Sequence, residues 1–143
     1  MDVARAKRYR DKLALLQERQ DDIATWMSDV STYEFTQDKK LRLASYKAFQ
    51  EMVEASMDLV SMMVRDSEHI VKDDYVNIGQ LHDRDMLSPK TAAALKEANG
   101  LRNRLIHRYN HLRTDIAFSS MRRLLPLFTS FRQEVQSWLK QHL

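Results

Sequence analysis

Ala6, Tyr9, Leu13, Leu16, Gln20, Ile23, Met27 and Val30 follow one another in alternating steps of three and four residues, which places them on one stripe of a helix. So regular a repeat predicts a first long helix from about Val3 to Val30. Gln20 is the one polar residue of the stripe and needs a partner, a water or the end of the core. Trp26 lies beside the stripe and reads as a packing residue. Nothing in the composition works against long helices, because 143 residues contain only two glycines and two prolines.

The same period recurs downstream. Ser31 to Gln37 lacks it and reads as a connection, with Asp38 suited to cap the next helix. That second helix carries Leu41, Ala48, Met52, Ala55, Leu59 and Met62 on one row and Phe49, Val53, Val60 and Met63 on the next. A short loop makes the two long helices antiparallel neighbours. The double row is broader than one neighbour requires, so it must bury against several elements or another subunit, and core packing is the simpler reading.

From Asp66 to Leu87 the sequence predicts a loop and one short helix near Tyr75 to His82. Ser88-Pro89 is a helix start, since serine caps and proline is tolerated at the first helical position. Ala92, Leu95, Ala98, Arg102, Leu105 and Ile106 continue that helix, and Asn110 to Ala117 reads as a connection. Phe118, Met121, Leu125, Phe128, Val135, Trp138 and Leu139 define a last helix, in which Pro126 predicts a kink or a division. The expectation is an all-α bundle of about five helices, with residues 1–143 as a single domain.

Without cysteine there is no disulfide framework and no thiolate metal site. No apolar run approaches the length needed to cross a bilayer, so the expected location is the cytoplasm, away from membranes. Formal net charge is only +3, but Arg102 to Arg113 contains four arginines, two histidines and no acid. Such a segment attracts phosphates where it is exposed, although a solvated basic helix face is the commoner origin of such a run.

Within it, Arg102, Asn103, Arg104, His107, Arg108 and Tyr109 bring together a guanidinium fork suited to phosphate oxygens and the side chain that titrates near neutral pH. Together they have the chemistry for metal-independent transesterification of RNA. His107 serves as general base or acid and Arg102 holds the phosphate, while Asn103 orients the histidine or the phosphate. No metal or other cofactor is called for. On a straight helix, however, Arg102 and His107 stand about 140° apart while Arg102 and Tyr109 differ by only about 20°. Two arrangements repair this: the helix unwinds near His107, or the site is composed across a two-fold dimer.

These residues, with the spacing Arg-x4-His-x-Tyr, resemble the signature of HEPN-domain ribonuclease toxins of the HepT type, whose partner is a minimal nucleotidyltransferase antitoxin. Asp74-Tyr75, Ile78-Gly79-Gln80-Leu81, Leu87-Ser88-Pro89 and Ala98-Asn99-Gly100-Leu101 extend the likeness through the C-terminal half. The resemblance implies a HEPN-like helical bundle and a homodimer in which two copies of the motif line one cleft, possessing ribonuclease activity on tRNA or mRNA. It also implies that Tyr109 accepts adenylyl groups from the antitoxin, whose bulk and negative charge block RNA. From chemistry alone the phenol of Tyr109 can equally stack on a base, donate to phosphate or pack.

Arg104, Arg108 and Arg113 are candidates for guiding RNA by charge. His107 and His111 have a metal-compatible spacing but no carboxylate to complete a site, and arginines flank them. His82 with Asp83 and Asp85, and Asp66 with Glu68 and His69, read as solvated polar clusters able to approach the cleft. A second functional reading is a non-catalytic helical module that binds RNA or a nucleotide, or docks a nucleotidyltransferase, although binding alone does not require the imidazole.

Overall fold

In the computed structural model, which describes residues 1–143, the stripe beginning at Ala6 forms α1, Val3–Met27. It is followed by α2 (Thr32–Gln37), α3 (Lys39–Asp66), α4 (Asp74–Asp83), α5 (Pro89–His107), a 3₁₀ turn at Tyr109–His111, and α6 (Thr114–His142). Helix starts obey local chemistry. Asp2, Ser31, Asp38, Asp73 and Ser88 each accept the backbone N–H three residues on, satisfying a donor that has no partner within the helix. Helix ends are less usual for a chain so poor in glycine: Asp29, Glu68 and Asp85 adopt positive φ where α1, α3 and α4 give out.

Every stripe residue of α1 from Ala6 to Met27 is buried, whereas Val30 lies beyond the helix and is partly exposed. Ion pairs of Arg19 with Glu51, Lys12 with Asp58 and Arg5 with Asp66 climb α1 while descending α3, so the two run antiparallel. The broad face of α3 has its explanation in packing against α1, α2, α4 and α5, while α6 covers α1, α2 and α5. One cluster of 35 buried residues contains side chains from all six helices. Trp26, expected to pack, is instead partly exposed.

Two expectations are corrected. Ser31 to Gln37 is not a mere connection: Ser31 caps the Glu34 N–H while its hydroxyl donates to the Glu34 carboxylate, and α2 inserts a fully buried Phe35. Ala117, assigned to a connection, is buried in α6, which begins at Thr114 and passes Pro126 without dividing. No helix is long and apolar enough to cross a membrane.

Gln20 finds its partner inside the protein. Its amide donates to the Leu125 carbonyl at 3.0 Å and the Thr129 hydroxyl at 2.8 Å, and its oxygen accepts from Arg132 at 3.1 Å, tying α1 to α6. Tyr9 makes a second long-range tie by donating to Asp66 at 2.7 Å. Burial first, then that hydrogen bond, raises the Tyr9 phenol above its ordinary value of 10.0. The unfolded chain therefore releases this proton first, and the stability Tyr9 contributes is whole below about pH 10 and lost as pH rises beyond it. The melting temperature should accordingly fall less steeply above about pH 10 in Tyr9→Phe than in the wild type. Parallel slopes by circular dichroism would remove Tyr9 as the alkaline trigger.

Candidate functional site

Helix α5 carries the motif, and its neighbours fix it at both ends. At the start, Glu134 of α6 accepts from the Ser88 N–H and the Thr91 hydroxyl. Midway, buried Asn99 presents its Oδ1 to Arg102 Nη2 at 2.7 Å. At the end the helix stops at His107, Arg108 caps it, and Tyr109 to His111 make the 3₁₀ turn.

Because the helix ends at His107, the straight-helix relation between Arg102 and Tyr109 does not hold. Arg102 is held inward. Its side chain is 13% exposed and forms ion pairs with Asp74 of α4 at 3.2 Å and Glu54 of α3 at 3.9 Å. Asn103, expected to orient the histidine or the phosphate, accepts instead from Arg102 Nε at 3.1 Å. The loop before α4 is fixed in turn by buried Asn77, which accepts from the Lys72 N–H at 2.7 Å and donates to the Lys72 carbonyl at 3.0 Å.

Tyr109 faces a different neighbour. Its ring meets that of Tyr46 edge to face, with centroids 6.0 Å apart. Tyr46 meets Phe35 at 5.9 Å, and Phe35 meets Phe118 at 4.6 Å, so an aromatic chain runs from the motif through α3 and α2 to α6. Burial pushes the Tyr46 phenol up, keeping it neutral beneath the motif tyrosine.

His107 is exposed and makes no side-chain hydrogen bond or ion pair, so its ring nitrogens are available to a substrate. Arg104 and Arg108 are likewise exposed without acidic partners, whereas Arg113 pairs with Asp115 at 2.9 Å. The structure thus groups Arg102 with Asn103 and sets His107, Arg108 and Tyr109 at the open helix end. His107 and His111 are both exposed, and no group of three His, Cys, Asp or Glu side chains is placed to hold a metal ion.

Of the other polar clusters, Asp66 and His69 have side-chain partners. Asp66 binds Tyr9 and Arg5, and the His69 ring lies 3.2 Å from Arg84. Asp83 and Asp85 lie at the opposite end of α4 from Asp74. The residues that sequence reasoning left without a role are Glu54 and Tyr46. Their signal was lost in the helical period, because both sit on α3 among residues read only as rows of a core.

None of the four concavities on the surface is lined by Arg102, His107 or Tyr109. The largest, about 490 Å³, lies between the α4–α5 turn and the end of α6.

Two proteins of Archaeoglobus fulgidus, each described as "Putative RNase", are similar to this chain. The first is 36% identical over 89 residues, 62% of this chain and 67% of the relative, and the second 35% identical over 108 residues, 76% of each. The fold is similar to that of the tri-AMPylated HEPN toxin of Shewanella oneidensis in complex with MNT antitoxin, with a TM-score of 0.84 and 22% identity over 96% of this chain and 99% of that one. It is also similar to YutE, a cytosolic protein of unknown function from Bacillus subtilis, with a TM-score of 0.82 and 15% identity over 96% and 92% of the two chains. These likenesses give the helical bundle its name, the HEPN fold. A family model described as ribonuclease HepT-like matches residues 9–135, a span that includes the whole motif, and the chain belongs to the HepT-like ribonuclease family.

Proposed function

We propose that this protein is the ribonuclease toxin of a toxin–antitoxin pair, that it cleaves RNA without a metal, and that residues 1–143 act as one HEPN unit in the cytoplasm. The observation that carries this reading is the pairing of an oriented arginine with a free imidazole. Arg102 is held on three sides while His107 stands unbonded where α5 stops. Arg104 and Arg108, exposed without acidic partners, and Arg113 beyond the 3₁₀ turn draw the RNA backbone towards it.

The ribose 2′-oxygen attacks the adjacent phosphorus as its proton passes to a His107 imidazole. The bond from phosphorus to the 5′-oxygen breaks, and that oxygen receives a proton from an imidazolium. A 2′,3′-cyclic phosphate and a 5′-hydroxyl result. Arg102 binds the non-bridging oxygens and stabilises the charge that accumulates there, and Asn103 keeps the guanidinium in plane. Arg102 and His107 both lie on α5, about 140° apart around its axis, which supports a homodimer in which two motifs face each other, one His107 acting as base and its symmetry mate as acid.

Tyr109 is the switch. Its ring rests on Tyr46 and is 39% exposed, so adenylyl groups added by a nucleotidyltransferase antitoxin extend from the rim of the site and repel RNA. Co-expression with that antitoxin should add adenylyl mass to the wild-type chain and stop cleavage. Tyr109→Phe should stay unmodified and active. Equal modification of Tyr109→Phe in the mass spectrum would assign the acceptor elsewhere.

A further inference from the structure

Arg102 does not spend its five N–H donors evenly. Nε is taken by Asn103 at 3.1 Å, and Nη2 by Asn99 at 2.7 Å and Asp74 at 3.2 Å. Nη1 has no hydrogen-bond partner at all. Its acidic neighbour is Glu54, whose carboxylate stands 3.9 Å away, beyond hydrogen-bond distance. The holders also differ in exposure: Asn99 is 1% exposed, the Asp74 side chain 36% and the Glu54 side chain 51%, and Asp74 sits in the first turn of α4, whose preceding loop Asn77 clamps.

The geometry points to a division of labour around Arg102, in which Asp74 is a positioning residue that aims Nη1 outward and Glu54 is a displaceable counter-ion occupying the phosphate's place. This rests on the ribonuclease reading for the identity of the phosphate, but concerns residues outside the motif. Asp74 and Asn99 close one edge of the guanidinium, so that only Nη1 and the outer face remain for an incoming anion. Glu54 is loosely held and of the same charge as that anion. An RNA phosphate takes over Nη1 as the Glu54 side chain swings into solvent, and no backbone movement is needed. The acid keeps the arginine from binding stray anions at the cost of some RNA affinity.

The two acids therefore separate kinetically. With the full-length chain and a single-stranded RNA oligonucleotide, Asp74→Ala should lower kcat by about 10- to 100-fold with little rise in KM, because a misaimed guanidinium still attracts RNA but no longer fits the transition state. Asp74→Asn keeps an oxygen able to accept from Nη2 and should restore most of the lost rate. In a His107→Ala background, which binds without cutting, Glu54→Gln should tighten RNA binding by about two- to fivefold, read by fluorescence anisotropy. A wild-type kcat in Asp74→Ala, or RNA binding unmoved by Glu54→Gln, would overturn the proposal. If the unsubstituted chain binds RNA but does not cut it, the ribonuclease reading fails while the binding arm still decides the role of Glu54.

Discussion

Replacing His107 with alanine should lower RNA cleavage by about 10² to 10⁴-fold, the range that a positioned acid–base group contributes. The loss should come without unfolding. His107 is the final residue of α5, is exposed and makes no side-chain hydrogen bond, so its imidazole supports no part of the core. Far-ultraviolet circular dichroism and melting temperature should match those of the wild type. A His107→Ala protein that retains wild-type cleavage in excess chelator would remove the histidine from the reaction.

Arg102→Ala is a less clean test of the same chemistry. It would leave Asp74 and Glu54 facing each other without the charge between them, and deprive buried Asn99 of its partner. Lost activity there would combine chemistry with local disorder. The histidine is the better probe because the fold asks nothing of it.

The second large effect belongs to stability. Phe35→Ala should destabilise the protein by about 3 to 5 kcal/mol, the usual cost of removing a fully buried phenylalanine. At about 3 to 5 °C per kcal/mol for a chain of this size, the melting temperature should drop by roughly 9 to 25 °C. The ring is fully buried and sits between Tyr46 and Phe118, so its loss opens a cavity below the tyrosine on which Tyr109 rests. A shift of only a few degrees would mean that α2 packs loosely and does not anchor the motif end.

Phe35 also shows where sequence reasoning reached its limit. The long helices were legible because their burial repeats over many turns, and the α1 stripe from Ala6 to Met27 is buried residue for residue. Helix α2 has six residues and one buried apolar side chain, too few to show a period. Its signal was Ser31 with Glu34 three residues on, a spacing that marks a helix start by hydrogen bonding without need of periodicity. The start of α6 carried no such mark, since Arg113 makes no side-chain cap.

At the site, the motif residues were legible but their holders were not. Arg102, His107 and Tyr109 fall within eight residues of the chain, whereas Glu54 and Asp74 reach Arg102, and Tyr46 reaches Tyr109, from α3 and α4. Helical arithmetic correctly showed that one straight helix does not gather Arg102 and His107 on one face. It paired Tyr109 with Arg102 only because it continued the helix past His107, where the chain turns into a 3₁₀ segment and the tyrosine finds Tyr46. What a helix end does depends on the tertiary surface that receives it, and spacing along the chain contains no record of that surface.

The claim on which the account depends is that Arg102 and His107 cleave RNA by internal attack of the 2′-hydroxyl, with no metal taking part. The 3′ ends of fragments produced by the purified chain in excess chelator test it most directly. The account predicts cleavage that persists in chelator and leaves 2′,3′-cyclic phosphate with 5′-hydroxyl ends, whereas 3′-hydroxyl with 5′-phosphate ends, or cleavage that stops when metal is withdrawn, would contradict it.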